Sequence, residues 1–461
     1  MVGIERLNLQ VDFCDAVSHQ SFKLIYFELE VITVVPYVLY QKPISFRHLR
    51  AQTALRDAQM HPINREKNMI SKNAKRTVKA LGAATALALS LGQVAVADGH
   101  AGKLKVGMLT TLTGGGAGLG VDIRDGFLLA IEQSGNAGIE VVVEDDQRKP
   151  DIAVQVADKM IQSEKVDILT GIVFSNLALA VAPSATAQGK FYISPNAGPA
   201  QLAGRGCHEN YFNVAWQNDG PHEAAGATAN KMGIKKAFIW APNYPAGQDA
   251  LTGFKRTFEG EVAQEVFTKL GQTDYAAEIA QMRASDADGI FFFAPGGMGI
   301  SFLKQYADSG VDLPLVGPAF SFDQTILPAV GAAAEGVLNT AQWAPDLDND
   351  ASRAFVESFK EAYGRIPSIY AQQGFDTGLL IASAATKADV KDADAFRAAL
   401  READFTSTRG DFKFGNNQHP IQDFWVRKVI QLDDGTFINT AVEVALEDRQ
   451  DVYATECALD W

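Results

Sequence analysis

From residue 104 onward the chain alternates between two periods of hydrophobicity. Leu104–Leu112 (LKVGMLTTL) is rich in strand formers, and Val121–Gln133 carries apolar residues at helical spacing. Ile139–Val143 then reads as strand, Asp151–Ser163 as amphipathic helix, Val166–Val173 as strand, Leu177–Gln188 as helix and Phe191–Ser194 as strand. The alternation restarts with strand Ala237–Trp240, helix Gln248–Glu259, strand Val262–Leu270 and helix Ala276–Ala284. It continues through strand Gly289–Phe293, helix Ile300–Ser309 and strand Leu315–Val316. Strands separated by helices predict βαβ units on parallel sheets covered on both faces, an α/β fold. The break between the two runs is expected at Trp216–Pro221 (WQNDGP), a polar, turn-prone piece. Helices dominate from Ser352 to Leu400, with Asp350 and Asp376 as candidate N-caps. Phe412–Val444 alternates like antiparallel strands around an Asp434-Gly435 turn.

Upstream, the pattern is of another kind. In Met69–Ala97, Lys72, Lys75, Arg76 and Lys79 form a positive region, Leu81–Gly92 a short apolar core, and Ala95-Val96-Ala97 a small-x-small cleavage site. This predicts an export signal, since the apolar run falls short of the ~20 residues a helix needs to cross a bilayer. Residues 1–68 then read as an upstream extension that begins before the true start at Met69. Within it Leu24–Tyr40 is apolar, but Glu28, Glu30 and Pro36 argue against a membrane span. The exported chain is expected to begin near Asp98 and to work in the periplasm.

Composition sharpens this picture in two ways. The 364 residues after Ala97 exceed what one compact core usually holds, which predicts two domains. Residues 1–97 carry 12 basic and 7 acidic residues, so the remainder has 29 basic and 48 acidic ones, a net charge of −19. Nucleic acid and anionic lipid are poor partners for such a chain. Cys14 lies upstream, leaving Cys207 and Cys457. In an exported protein this pair suggests a disulfide, contributing roughly 4–5 kcal/mol by closing a long loop; two free thiols are the alternative.

Catalytic chemistry is sparse. The histidines after residue 97 are His100, His208, His222 and His419; none lies in an HExxH helix, and no GxSxG elbow is present. Thr113–Gly120 (TGGGAGLG) follows a strand and opens a helix, yet fits neither GxGxxG nor GxxxxGK, and reads as a tight turn that lets backbone approach a ligand. Asp145-Asp146 reads as a strand-end turn anchored by carboxylates rather than a metal site. No catalytic residue, metal or cofactor is expected.

The message lies at the strand ends, where open α/β sheets bind ligands. Phe174-Ser175-Asn176 joins a strand to a helix, where Ser175 can cap the helix and its N–H groups can attract a carboxylate. Ser194–Gly198 (SPNAG) follows the next strand. Asn243-Tyr244-Pro245, Pro295–Met298 and Pro318–Phe322 (PAFSF) hold comparable positions in the second run. Each alone reads as a loop; their recurrence predicts a cleft. At these residues the chain resembles the periplasmic solute-binding proteins of ABC importers, in the leucine/isoleucine/valine-binding class. The likeness runs through Val106–Gly118, Glu144–Ile161, Lys165–Asn176, Tyr192–Gly198, Tyr211–Asp219 and Leu313–Phe320.

That resemblance implies two Rossmann-like lobes with central parallel sheets, joined by a three-strand hinge near Trp216, Trp343 and Gly415. The expected lobes are 103–217 with 345–415, and 218–344 with 416–461. It implies that Ser175, Ala197 and Gly198 hold a ligand carboxylate, that Leu119 and Phe174 wall the pocket, and that Tyr244 reaches in from lobe two. Asn176, Asn196, Phe320 and Tyr370 complete the expected ligand-binding set. One departure stands out: where amino-acid binders of this class carry an acid to pair the ligand ammonium, this chain has Ala319, followed by Phe320-Ser321-Phe322. Without that carboxylate a buried ammonium loses several kcal/mol. A small organic acid, aromatic in body, is the expected ligand, with an ABC permease as partner and a monomeric receptor. Phe320 and Phe322 can alternatively be core, and Asp323 can replace the missing acid. A branched-chain amino acid or amide receptor is then the alternative, and a dinucleotide-binding enzyme the remote one.

Overall fold

The computed structural model describes residues 103–461. The export signal at 69–97, the extension 1–68 and Leu24–Tyr40 lie outside the described residues.

The first lobe is the alternating run made real. β1 (Leu104–Thr110), α1 (Ala117–Gln133), β2 (Ile139–Asp145), α2 (Pro150–Gln162), β3 (Ile168–Thr170), α3 (Ser175–Ala187), β4 (Phe191–Ser194), α4 (Ala200–Ala203) and β5 (Tyr211–Asn213) follow in order. The sheet runs β2-β1-β3-β4-β5, and every pair is parallel. Its central strands are buried and nearly all apolar, as a sheet covered on both faces requires.

The second lobe opens with α5 (Asp219–Lys231), then β6 (Lys236–Pro242), α6 (Pro245–Thr257), β7 (Glu261–Thr268), α7 (Ala276–Ala284), β8 (Gly289–Phe292), α8 (Gly297–Ser309), β9 (Leu315–Pro318), α9 (Leu327–Val330) and β10 (Leu338–Ala341). Helices α10 (Asp350–Tyr363), α11 (Ile369–Lys387) and α12 (Ala393–Glu402) come next, followed by β11 (Lys413–Phe414), β12 (Pro420–Gln431) and β13 (Phe437–Arg449). The second sheet runs β11-β12-β10-β9-β8-β6-β7, with β13 paired to β12. β12 and β13 form the expected antiparallel hairpin, its turn set by Asp434 Oδ1 accepting from Thr436 N–H at 2.9 Å and by Gly435 at φ 87°. Among the described residues no helix is long and apolar enough to cross a membrane.

Three expectations are corrected. The turn-prone break at Trp216–Pro221 ends in a helix: α5 starts at Asp219, and Pro221 sits in its first turn, where a missing N–H is harmless. That helix is buried through most of its length, so no polar face announced its period. Asp376 lies mid-helix in α11, which Ser368 caps by accepting from Ala371 N–H at 3.1 Å. Asp350 lies in the first turn of α10, and Asn349 is its cap, accepting from Ser352 N–H at 2.7 Å.

The segments that link the two sheets lie side by side. Asn213 N–H donates to the Gln418 carbonyl at 3.0 Å, Gln422 Nε2 to the Ala215 carbonyl at 2.6 Å, and Arg427 Nη1 to the Trp343 carbonyl at 3.1 Å. Cys207 and Cys457 are disulfide-bonded, with Cα atoms 5.7 Å apart. The bond ties the loop after α4 to the C-terminal turn, and Asn416 Nδ2 reinforces it by donating to the Ala454 carbonyl at 2.9 Å.

Candidate functional site

Two βα junctions of the first lobe and four segments of the second converge on one narrow cavity. Val173, Phe174 and Ser175 come from the β3–α3 junction, and Asn196 from the loop after β4. Trp216 and Asn218 belong to the linking segment, and His222 to α5. Tyr244, Ala246, Phe293, Pro295 and Phe320 come from strand ends of the second sheet, and Tyr370 from the start of α11. This is the carboxyl-end crevice that parallel sheets offer, doubled across two lobes. At its edge the lobes meet backbone to backbone. Gly296, at φ 61°, brings its Cβ position within 2.8 Å of the Gly115 carbonyl, so a side chain there would hold the lobes apart.

The walls are aromatic. Phe174 and Tyr244 lie 6.4 Å apart, Tyr244 and Phe293 6.2 Å, and Phe293 and Phe320 5.1 Å. Phe320 packs against Trp216 at 4.9 Å, His222 at 5.8 Å and Tyr370 at 6.4 Å. No Asp, Glu, Lys or Arg is among the lining residues. His222, enclosed by Phe291, Phe293 and Phe320, is neutral at physiological pH, because burial pushes its imidazole down to about 3. Burial likewise raises the Tyr244 and Tyr370 phenols, which remain protonated.

Several buried polar atoms of this lining have no hydrogen-bond partner among the described residues: Trp216 Nε1, Tyr370 OH, His222 Nδ1 and Asn196 Oδ1. Asn196 is oriented by its amide, which donates to the Val173 carbonyl at 2.8 Å. Unpaired buried polar groups cost free energy until water or another polar group meets them.

Asn218 organises the corner of the cavity at Ser175. Its Nδ2 donates to Ser175 Oγ at 3.0 Å and to Asp249 Oδ2 at 2.8 Å, and its Oδ1 accepts from Gly198 N–H at 3.0 Å. Asp249, on α6 of the second lobe, also accepts from Ala200 N–H of the first at 3.2 Å. Burial, with help from Asp219, raises its carboxyl to about 7. Ser175 is therefore the first residue of α3 rather than its cap, which is Phe174. Its hydroxyl accepts from Asn218.

Of the residues expected from sequence, Phe174, Ser175, Asn196, Tyr244, Phe320 and Tyr370 meet at this cavity. Leu119, Asn176, Ala197 and Gly198 do not line it. Leu119 is buried in α1 with its side chain beside Gly296. Asn176 follows Ser175 in α3, and its Oδ1 is buried without a partner among the described residues. The Ala197 carbonyl is taken by Ser194 Oγ, Tyr211 OH and Asn213 Nδ2, and Gly198 N–H by Asn218. Asp323 does not reach the site either. It is buried against α11, accepting from Ile369 N–H at 3.1 Å, and burial raises it to about 7. Trp216, Asn218, His222 and Phe293 are missing from the sequence reading because their neighbours in space are far away in sequence; the polar WQNDGP stretch signals only Trp216 and Asn218. Phe322 is core, packed on Phe292 at 5.2 Å. Among the described residues no cluster of His, Cys, Asp or Glu could hold a metal.

The chain's likenesses agree with this architecture. A family model described as periplasmic binding protein matches residues 103–436. The Leu/Ile/Val-binding protein homolog 6 of Brucella melitensis biotype 1 is 27% identical over 375 residues, 77% of this chain and 95% of its own length. Among solved structures, an ABC-transporter solute-binding protein of R. palustris in complex with benzoate is 33% identical, with a TM-score of 0.74, over 78% of this chain and all of its own. A solute-binding protein of Rhodopseudomonas palustris BisB5 in complex with 3,4-dihydroxybenzoic acid is 29% identical, with a TM-score of 0.69, over 76% of this chain and 98% of its own. The chain belongs to the periplasmic binding protein family, as a solute-binding receptor of the ABC-transporter type.

Proposed function

We propose that this receptor captures a small aromatic acid in the periplasm and delivers it to an ABC import permease. The observation that carries this reading is the uncharged, aromatic lining of the cavity. A zwitterionic amino acid would bury its ammonium with no carboxylate to receive it, a loss of several kcal/mol. A monocarboxylate meets the Ser175 hydroxyl and the first N–H groups of α3, while Phe174, Tyr244, Phe293 and Phe320 enclose an aromatic ring. The benzoate and dihydroxybenzoate complexes of the R. palustris proteins support the same class. We further assign the lobes as 103–217 with 345–415 and 218–344 with 416–461, closing about the three linking segments as a monomer.

Branched-chain amino acids remain the second reading. The unpartnered Asn196 Oδ1 is an acceptor that a ligand ammonium could meet, and the Brucella relative carries a Leu/Ile/Val-binding name. Thermal-shift and titration calorimetry with benzoate, 4-hydroxybenzoate, benzamide and leucine separate the two. Stabilisation by the acids alone is expected, about 2.7 kcal/mol at a hundred times the dissociation constant. Ser175→Ala should weaken binding of the acids by about tenfold, the loss of one charge-assisted hydrogen bond. Stabilisation by leucine alone would refute the ligand class; an unchanged acid affinity in Ser175→Ala would refute the role of Ser175.

A further inference from the structure

The turn after β2 is a strained device that the function above leaves unused. Gln147 and Arg148 both have left-handed backbone angles, φ 52° and 57°. Two such non-glycine residues in succession persist only where the surroundings fix them. Here an aspartate pair does so. Asp145 Oδ1 accepts from Gln147 N–H and Leu112 N–H, each at 2.8 Å, and its Oδ2 from Thr113 Oγ1 at 2.6 Å. Asp146 Oδ1 accepts from Arg148 N–H at 2.8 Å and Thr111 Oγ1 at 2.6 Å.

The result is the placement of one cation. The Arg148 guanidinium carbon lies 5.7 Å from the centre of the Phe174 ring, which lines the ligand cavity. One nitrogen, Nη1, is 3.7 Å from the Cβ position of Gly115 in the first lobe. The other, Nη2, is 2.9 Å from that of Gly271 in the turn after β7 of the second. Arg148 thus stands where the two lobes meet, beside the Gly115–Gly296 contact. Among the described residues its side chain forms no ion pair and no hydrogen bond, and Asp145 and Asp146 are engaged by backbone N–H groups and threonine hydroxyls. A half-buried guanidinium without a partner, in a chain of net charge −14, makes a local positive potential at the edge of an uncharged cavity.

We propose that Arg148 is the residue that selects for anions at the mouth of the cleft, drawing the ligand carboxylate in past Phe174 toward Ser175. This rests on the reading of the ligand as a carboxylate. The role is kinetic: a solvated cation at the rim raises the association rate of an anion and leaves that of a neutral isostere unchanged.

Stopped-flow measurement with benzoate and 4-hydroxybenzoate, read by intrinsic tryptophan fluorescence to which Trp216 in the cavity wall contributes, tests it. Unit charges about 7 Å apart in water attract by about RT, so Arg148→Gln should slow association about threefold at low salt. The difference should vanish toward 0.5 M salt, as screening shortens to a few ångströms. Arg148→Lys should keep most of the salt dependence, and benzamide should associate with all three proteins at one rate. Wild-type association and salt slope in Arg148→Gln, with only faster dissociation, would overturn the proposal and make Arg148 a contact of the closed state. Wild-type protein that binds leucine and no aromatic acid would overturn the ligand class and this proposal together. Normal acid binding with an unaltered Arg148→Gln rate would overturn this proposal alone.

Discussion

Asn218 is the residue whose replacement tests the reasoning most directly. In Asn218→Leu the branched shape is kept and the polarity removed, so cavity formation does not obscure the result. Three interactions go at once: the donations to Ser175 Oγ and Asp249 Oδ2 and the acceptance from Gly198 N–H. Ser175 borders the cavity and can turn to water. Gly198 N–H and Asp249 are buried and cannot, although Asp249 keeps Ala200 N–H. An orphaned buried N–H costs about 1–3 kcal/mol and a lost hydrogen bond to a carboxylate about 1.5–3, so a loss of about 3–5 kcal/mol is expected. The pH dependence has a definite sign. Because its folded pKa is raised to about 7, Asp249 favours stability below its unfolded value and loses that contribution as pH rises through 7. Asn218 donates to the ionised form, so its loss should cost more at pH 8.5 than at pH 5.5. Urea denaturation of the disulfide-intact protein at both pH values measures this, provided the m-value is unchanged. A loss below about 1 kcal/mol, or one equal at both pH values, would refute the view that Asn218 holds this corner together.

Three other outcomes are expected. His222 has its folded pKa lowered from 6.5 to about 3 by burial, so it contributes stability above pH 6.5 that is lost as pH falls toward 3. Between pH 7 and pH 4, wild-type protein should lose about 3 kcal/mol more than His222→Phe, and parallel denaturation curves would contradict this. Reduction, or Cys207→Ser, should cost about 4–5 kcal/mol by freeing a loop with a sequence separation of 250, seen as a lower melting temperature; an unchanged melting temperature would show the bond to be dispensable. Gly374→Ala should destabilise by about 3 kcal/mol or more, because its Cβ would stand 2.1 Å from the Ile123 carbonyl where α11 crosses α1. A folded, equally stable Gly374→Ala protein would mean that the two helices can separate freely.

How much was legible in the sequence follows from which signals are local. Strand and helix periods are, and Phe191–Ser194 and Ala276–Ala284 fall where the pattern places them. The Asp434-Gly435 turn and the Asp145-Asp146 anchor are likewise written in a few adjacent residues, since a carboxylate two positions before an N–H is enough to make each. Helix α5 was hidden because burial on all sides erases its polar face, and Asn349 and Ser368 took the capping roles from Asp350 and Asp376 by one residue and by eight.

By itself the sequence determined the α/β class, the two runs of βα units, the cysteine pair and the absence of an acid at Ala319, because each depends on residue type and short spacing. Only the tertiary structure decided the rest. Trp216, His222, Phe293 and Phe320 become one wall because strand ends from separate crossovers converge at the carboxyl edge of a sheet. Asn218 joins Ser175, Gly198 and Asp249 across separations of 43, 20 and 31 residues. Arg148 reaches a glycine of the opposite lobe only when the lobes are packed together. A hydrogen bond is set by distance in space, and for such pairs the chain fixes that distance only after the whole of it has folded.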